Sequence, residues 1–215
     1  MCGFYCVLSK DKINLEESKQ SLDLIKHRGP DSQKYYLDID NKVFFGFNRL
    51  SIVDLSKKAD QPMIDEESQK LIVFNGEIYN HSKIRDFLKT KNYSFSTSCD
   101  TEVILKGYDY WKESILEHLE GMFSFVIYDQ LANKVFFARD RAGEKPLYYY
   151  QNNQKLYLSS EIKPIHHDSE NNNIELDALN NYFERGFAPK HLSMLSGVKK
   201  LKPGYSAELN LNSFI

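Results

Sequence analysis

Cys2 follows the initiator methionine and precedes Gly3. With Met1 removed, the chain would begin with a thiol and a free α-amine on one carbon, a nucleophile and a base joined by covalent geometry. Their unperturbed pKa values, ~8.5 and ~8, lie close enough that moving the proton from sulfur to nitrogen costs only about 1 kcal/mol. Such a pair needs no separate histidine. On its own, a cysteine beside the start codon is also what chance supplies, so the residues that could serve it decide the matter.

Those residues come in short polar clusters. His27-Arg28-Gly29-Pro30-Asp31-Ser32 packs two basic groups, a turn pair and an acid together. Arg49 opens Arg49-Leu50-Ser51-Ile52-Val53-Asp54 directly after an apolar run, and Asn75-Gly76-Glu77-Ile78-Tyr79-Asn80 follows another. Asp100-Thr101-Glu102 precedes a helical pattern, and Arg139-Asp140-Arg141-Ala142-Gly143-Glu144-Lys145-Pro146-Leu147-Tyr148 follows a strand-like one. Polar clusters at the ends of strands are where sites usually form. Each has a plainer reading: an Asn-Gly turn, a surface salt bridge for Arg49, helix capping for Asp100.

The elements that must position them are legible from the apolar pattern. Runs at 3–9, 43–48, 71–75, 122–129, 135–139, 147–150, 156–159 and 206–209 read as strands, several of them apolar on both faces. Residues 130–134 are a hairpin-length link containing Asn133. Asn14 with Glu17 three residues on resembles a capping box, with Leu15, Leu22 and Ile25 on one face. Helices are predicted at 82–89, with Ile84, Phe87 and Leu88 as its buried side, at 101–108, and at 177–185 ending near Gly186. Strands and helices come in blocks without strict alternation, which favours antiparallel sheets with covering helices, an α+β fold. The polar run 168–173 reads as a surface loop and a possible start, near 174, of a C-terminal appendage.

Composition excludes several function classes. The 215 residues carry 28 Lys plus Arg against 30 Asp plus Glu, a balance that provides no field for nucleic acid or an anionic membrane. No run approaches the ~20 apolar residues of a membrane span. Three cysteines at unpatterned spacing point to a reducing compartment, so a cytoplasmic location is expected. His166-His167 lacks metal-ligand spacing, and no metal is expected.

Taken in order and spacing, Cys2-Gly3, the clusters at 27–32, 49–54, 75–80, 100–104 and 139–148, and Gly121-Met122-Phe123 resemble one family. It is the glutaminase domain of glutamine-hydrolysing asparagine synthetase, a class II amidotransferase of the N-terminal-nucleophile superfamily. The resemblance implies a four-layer αββα sandwich over residues 1–209, with 210–215 beginning a linker to a synthetase domain. It implies hydrolysis of L-glutamine to glutamate and ammonia through a Cys2 thioester. Asn75 and Gly76 would form the oxyanion hole and Arg49 would clamp the α-carboxylate. Glu77 and Asp100 would recognise the α-ammonium, with Leu50, Ile52 and Val53 lining the pocket. Arg28 would order the Cys2 end, and His27 would have no part in the chemistry.

Departures are few. Cys6 stands where the family often has glycine, and Ser98-Cys99 replaces a Gly-Ser pair, which bears on glutamine affinity. No Ser-Gly-Gly-x-Asp-Ser phosphate loop occurs, so ATP and Mg are expected only in a synthetase domain outside this sequence. The chain is therefore expected to be a domain cut from a longer protein, or a stand-alone partner of a synthetase subunit that accepts the ammonia. A homodimer is compatible with the sequence. A different ammonia acceptor, or a non-catalytic glutamine-binding or interaction domain, are the alternatives.

Overall fold

The computed structural model describes residues 2–51, 57–169, 172–189 and 191–214. Two antiparallel sheets lie face to face between helices. The strands are β1 (Gly3–Ser9), β2 (Ser32–Leu37), β3 (Val43–Arg49), β4 (Met63–Asp65), β5 (Lys70–Ile78) and β6 (Gly121–Asp129), followed by β7 (Lys134–Arg139), β8 (Tyr148–Gln151), β9 (Lys155–Ser159), β10 (Lys199–Lys200) and β11 (Ser206–Asn210). The helices are α1 (Leu15–Asp23), α2 (His81–Lys89), α3 (Asp100–Trp111), α4 (Ile115–His118), α5 (Ile162–Ser169) and α6 (Leu176–Arg185). One sheet runs β10-β8-β9-β1-β3-β2 and the other β11-β7-β6-β5-β4, so both take strands from beyond residue 174.

Strand periodicity explains the layering. Along β1, Phe4, Cys6 and Leu8 face the other sheet, meeting Leu71, Val73, Val126 and Phe137 in the central core. The alternate residues Tyr5 and Val7 face Leu22 and Ile165 beneath α1 and α5. In the second sheet Ile72, Phe74, Phe125 and Ile127 pack against Val103, Ile104 and Tyr108 of α3. Residues apolar at every position are thus strands covered on both sides, giving four layers.

The structure adjusts the sequence reading at several points. Asn75-Gly76 is no turn: it lies within β5, paired across to Ser124 and Phe123 of β6. A Cβ on Gly76 would stand 2.1 Å from the Met122 carbonyl oxygen, so the close approach that requires glycine is between neighbouring strands. Asp168 belongs to α5 and accepts a hydrogen bond from the Tyr5 hydroxyl, so it is not part of a surface loop. Phe87 is 40% exposed and stacks on Trp111 at 5.1 Å, leaving Ile84 and Leu88 as the buried face of α2.

Candidate active site

The ends of β1, β3 and β5 converge with the start of α3 on one cavity of about 260 Å³, lined by Cys2, Arg49, Leu50, Asn75, Gly76, Glu77 and Asp100 among others. Seven of the sequence-predicted site residues therefore meet in one place. Ile52 and Val53 lie outside the described residues.

Cys2 sits half-buried at the mouth of β1. Its thiol lies 3.5 Å from the Leu50 carbonyl oxygen as donor and accepts the Leu50 N–H at 3.4 Å. Burial pushes the thiol pKa up, and the Leu50 N–H with the Arg49 and Arg28 charges opposes the rise. The Leu50 backbone thus touches the Cys2 thiol itself. Its neighbour Arg49 is 8% exposed and its Nη1 pairs with Asp60, which also takes Lys34 Nζ at 2.8 Å. Burial works against ionisation of Asp60, yet Lys34 and Arg49 hold its carboxyl below the usual range.

Asn75 projects from β5 with 2% exposure, and its Nδ2 is buried with no hydrogen-bond partner. An unpaired buried donor costs roughly 1–3 kcal/mol, and natural structures rarely keep one without use. Asp100, the first residue of α3, turns its Oδ2 to the Ile78 N–H at 3.0 Å. Burial raises its pKa, with the Ile78 amide, His81 and the first-turn amides of α3 opposing. A cation brought beside Asp100 would relieve that cost. Cys99, 5% exposed, lines the same cavity and is bonded to Thr97 Oγ1 at 2.9 Å.

Much of each motif builds the frame. Asp31 accepts the Ser51 N–H at 2.7 Å, and Gly29 crosses β3 where a Cβ would meet the Asn48 carbonyl oxygen at 2.2 Å. Asn80 ties the Glu120 N–H and the His118 carbonyl to the end of β5. Glu102 collects the N–H groups of Ser96 and Thr97, both at 2.8 Å, and so orders the turn that leads into Asp100. Arg139 and Asp140 fold their loop around backbone groups, which places Lys145, 9% exposed, in the cavity wall.

Sequence reasoning missed Gln61, Asp60 and Lys145. Gln61 accepts the Phe74 N–H at 2.6 Å and donates to Thr101 at 3.2 Å, stitching β5 to α3 behind the cavity. Nothing local in the sequence marks a glutamine or a lysine as a wall residue. His27 and Arg28 both reach Glu161, and His167 bonds Ser21 at 2.8 Å, so neither histidine enters the cavity.

The fold is a sandwich of two antiparallel sheets between helices, with a cysteine cavity where β1 begins. The chain belongs to the glutamine amidotransferase domain family, whose model matches residues 1–214. It is 40% identical over 209 residues to asparagine synthetase [glutamine-hydrolyzing] 1 of Bacillus subtilis, covering 95% of this chain and 33% of that protein. It is 35% identical to putative asparagine synthetase [glutamine-hydrolyzing] 2 of Methanocaldococcus jannaschii, covering 94% of this chain and 42% of the relative. The chain thus spans less than half the length of these relatives. Among solved structures, glutamine phosphoribosylpyrophosphate amidotransferase from B. subtilis superposes with a TM-score of 0.69 at 16% identity, over 97% of this chain and 47% of that one. That likeness concerns the fold.

Proposed function

We propose that this chain hydrolyses the side-chain amide of L-glutamine and delivers the ammonia to an ATP-dependent asparagine synthetase domain or subunit. The observation that carries the reading is the unpaired, buried Asn75 Nδ2 in the same cavity as the Cys2 thiol. A tetrahedral oxyanion next to sulfur is the group that such a donor lacks.

Cys2 Sγ attacks the amide carbon while its own α-amine, free once Met1 is off, takes the thiol proton. That proton passes to the leaving nitrogen, ammonia departs, and a γ-glutamyl thioester remains. Water attacks the thioester with the amine again as base, releasing glutamate. Asn75 Nδ2 and the Gly76 backbone N–H receive the oxyanion in both halves. Arg49 holds the α-carboxylate, a task suited to a planar two-pronged donor. Asp60 pairs with Nη1 of that guanidinium and keeps it in place. Glu77 and Asp100 take the α-ammonium, whose charge offsets the burial of Asp100. The Leu50 backbone, with Ile52 and Val53, completes the wall.

The test is glutamine-dependent ammonia release by three proteins: the chain processed to Cys2, its Cys2→Ala variant, and a form with residues appended before Cys2. Only the first should be active. Equal activity in the extended form would remove the α-amine as base, and activity of Cys2→Ala would remove the assignment. Covalent trapping of Cys2 by a glutamine-like electrophile separates a dead fold from a site that needs its partner domain to turn over.

A further inference from the structure

Cys2 lies just outside the β-ladder: β1 begins at Gly3, whose register partner is Asn48. The end of a chain is where backbone frays most readily. A residue serving as both nucleophile and base needs its Cα held closely, because a displacement of about 1 Å can cost about 100-fold in rate. The structure supplies an anchor from residues distant in the sequence. Arg28 Nε donates to the Cys2 carbonyl oxygen at 3.0 Å. The arginine lies across Gly3, where an added Cβ would meet its Cδ at 3.0 Å.

The same guanidinium places Nη1 3.0 Å from Glu161 Oε1, with the two side chains 10% and 22% exposed. His27 Nε2 reaches the same oxygen at 2.8 Å. Glu161 is fixed in turn, since its N–H donates to Ser159 Oγ at 3.2 Å. Ser159 Oγ also donates to the Phe4 carbonyl at 3.3 Å, and Ser160 Oγ accepts the Phe4 N–H at 3.1 Å. The segment after β9 thus grips the start of β1 through backbone and side chain together.

We infer that Glu161 is a positioning residue for the Cys2 nucleophile: acting through Arg28, it sets the Cys2 carbonyl and hence the carbon from which thiol and amine project. This rests on the glutaminase reading above. Glu161 fixes the Nη1 end of a planar fork whose Nε end holds the Cys2 carbonyl, so the carboxylate opposes rotation of the guanidinium about its stem. Glu161 does not line the glutamine cavity, so its effect falls on the acylation step and leaves substrate binding alone.

The experiment compares processed wild type with Glu161→Gln, which keeps the shape and removes the charge. It measures kcat, KM for glutamine, the maximal rate of Cys2 trapping by a glutamine-like diazoketone, and the thermal midpoint. Glu161→Gln should lower kcat and the trapping rate about 10- to 100-fold, with KM within about threefold and glutamine affinity unchanged in a Cys2→Ala background. Wild-type kcat in the variant, or a raised KM with kcat intact, would overturn the proposal. Should Glu161→Gln fail to fold, Glu161→Asp keeps the charge but draws it back by one methylene. The same kcat loss there supports the proposal, and full kcat overturns it. A wild type that is neither active nor trapped removes the glutaminase reading itself, a result distinct from a slow variant beside an active parent.

Discussion

Asn75 and Gly76 are adjacent yet answer to different physics. Asn75 Nδ2 makes no hydrogen bond within the protein, so replacing it breaks no hydrogen bond at that atom. Asn75→Ala should lower kcat about 10²–10³-fold, equivalent to roughly 3–4 kcal/mol of transition-state stabilisation. Its thermal midpoint should stay at or above the wild-type value, which steady-state kinetics and a melting curve check together. Gly76→Ala should fail by another route. Its Cβ would fall 2.1 Å from the Met122 carbonyl oxygen, a contact that backbone must move to relieve. We expect a loss of about 3 kcal/mol or more in a denaturant titration, beyond the usual range for a point substitution. At this scale the site was legible because residue type carries the chemistry. A thiol beside an α-amine can be read letter by letter, while the carboxylate role proposed for Arg49 came from the family pattern around it. Asp60 and Gln61 could not, since an ordinary acid and amide become relevant only once folding sets them behind Arg49 and Phe74.

The elements divide in the same way. Strands buried on both faces, such as β1, β3 and β6, announce themselves as apolar runs, and each was found within a residue or two of its bounds. The edge strands β2 and β4 were not. β2 carries Ser-Gln-Lys-Tyr-Tyr-Leu with no fully buried residue, and β4 is three residues long. An edge strand has one neighbour and a solvated side, so its pattern is weak. α5 was hidden by Pro164, tolerated because first-turn N–H groups have no partner within the helix. The signal at the start of α1 was sound: Asn14 Oδ1 accepts the N–H groups of Glu16 at 3.1 Å and Glu17 at 3.4 Å. Asn14→Ala should cost about 1 kcal/mol, read as a shift in the urea midpoint with the slope unchanged. Asn14 does not line the cavity, so kcat should not move.

For the whole molecule, charge pairing predicts how stability responds to acid. Burial opposes ionisation of Asp60, Asp109 and Glu161, yet Lys34 with Arg49, Lys70 with Tyr93, and Arg28 with His27 hold these carboxyls below the usual range. A carboxyl that binds its proton more weakly when folded adds stability above the ordinary carboxylate range, and that stability is lost as pH falls through the lowered value. Asp100 and Asp168, raised by burial, act in the opposite sense and blunt the effect. The thermal midpoint should therefore drop as pH falls below about 4, and Asp60→Asn should show a shallower decline than wild type over the same scan.

Glu161 shows where the boundary between sequence and structure lies. The sequence alone, through its resemblance to one family, pointed to the reaction class, to Cys2 as the proposed nucleophile and to most of the groups proposed to touch glutamine, because motif residues and their order survive without the fold. It also determined that apolar strands must be covered on both sides, since such runs have no face for water. Only the tertiary structure decided that Asn75-Gly76 is strand and not turn, that Arg49 pairs with Asp60, and that Arg28 links residue 161 to residue 2. Contacts between residues so far apart in the chain leave no local signature. They arise where β9 and β1 pair side by side, bringing together two segments far apart in the sequence that share no pattern.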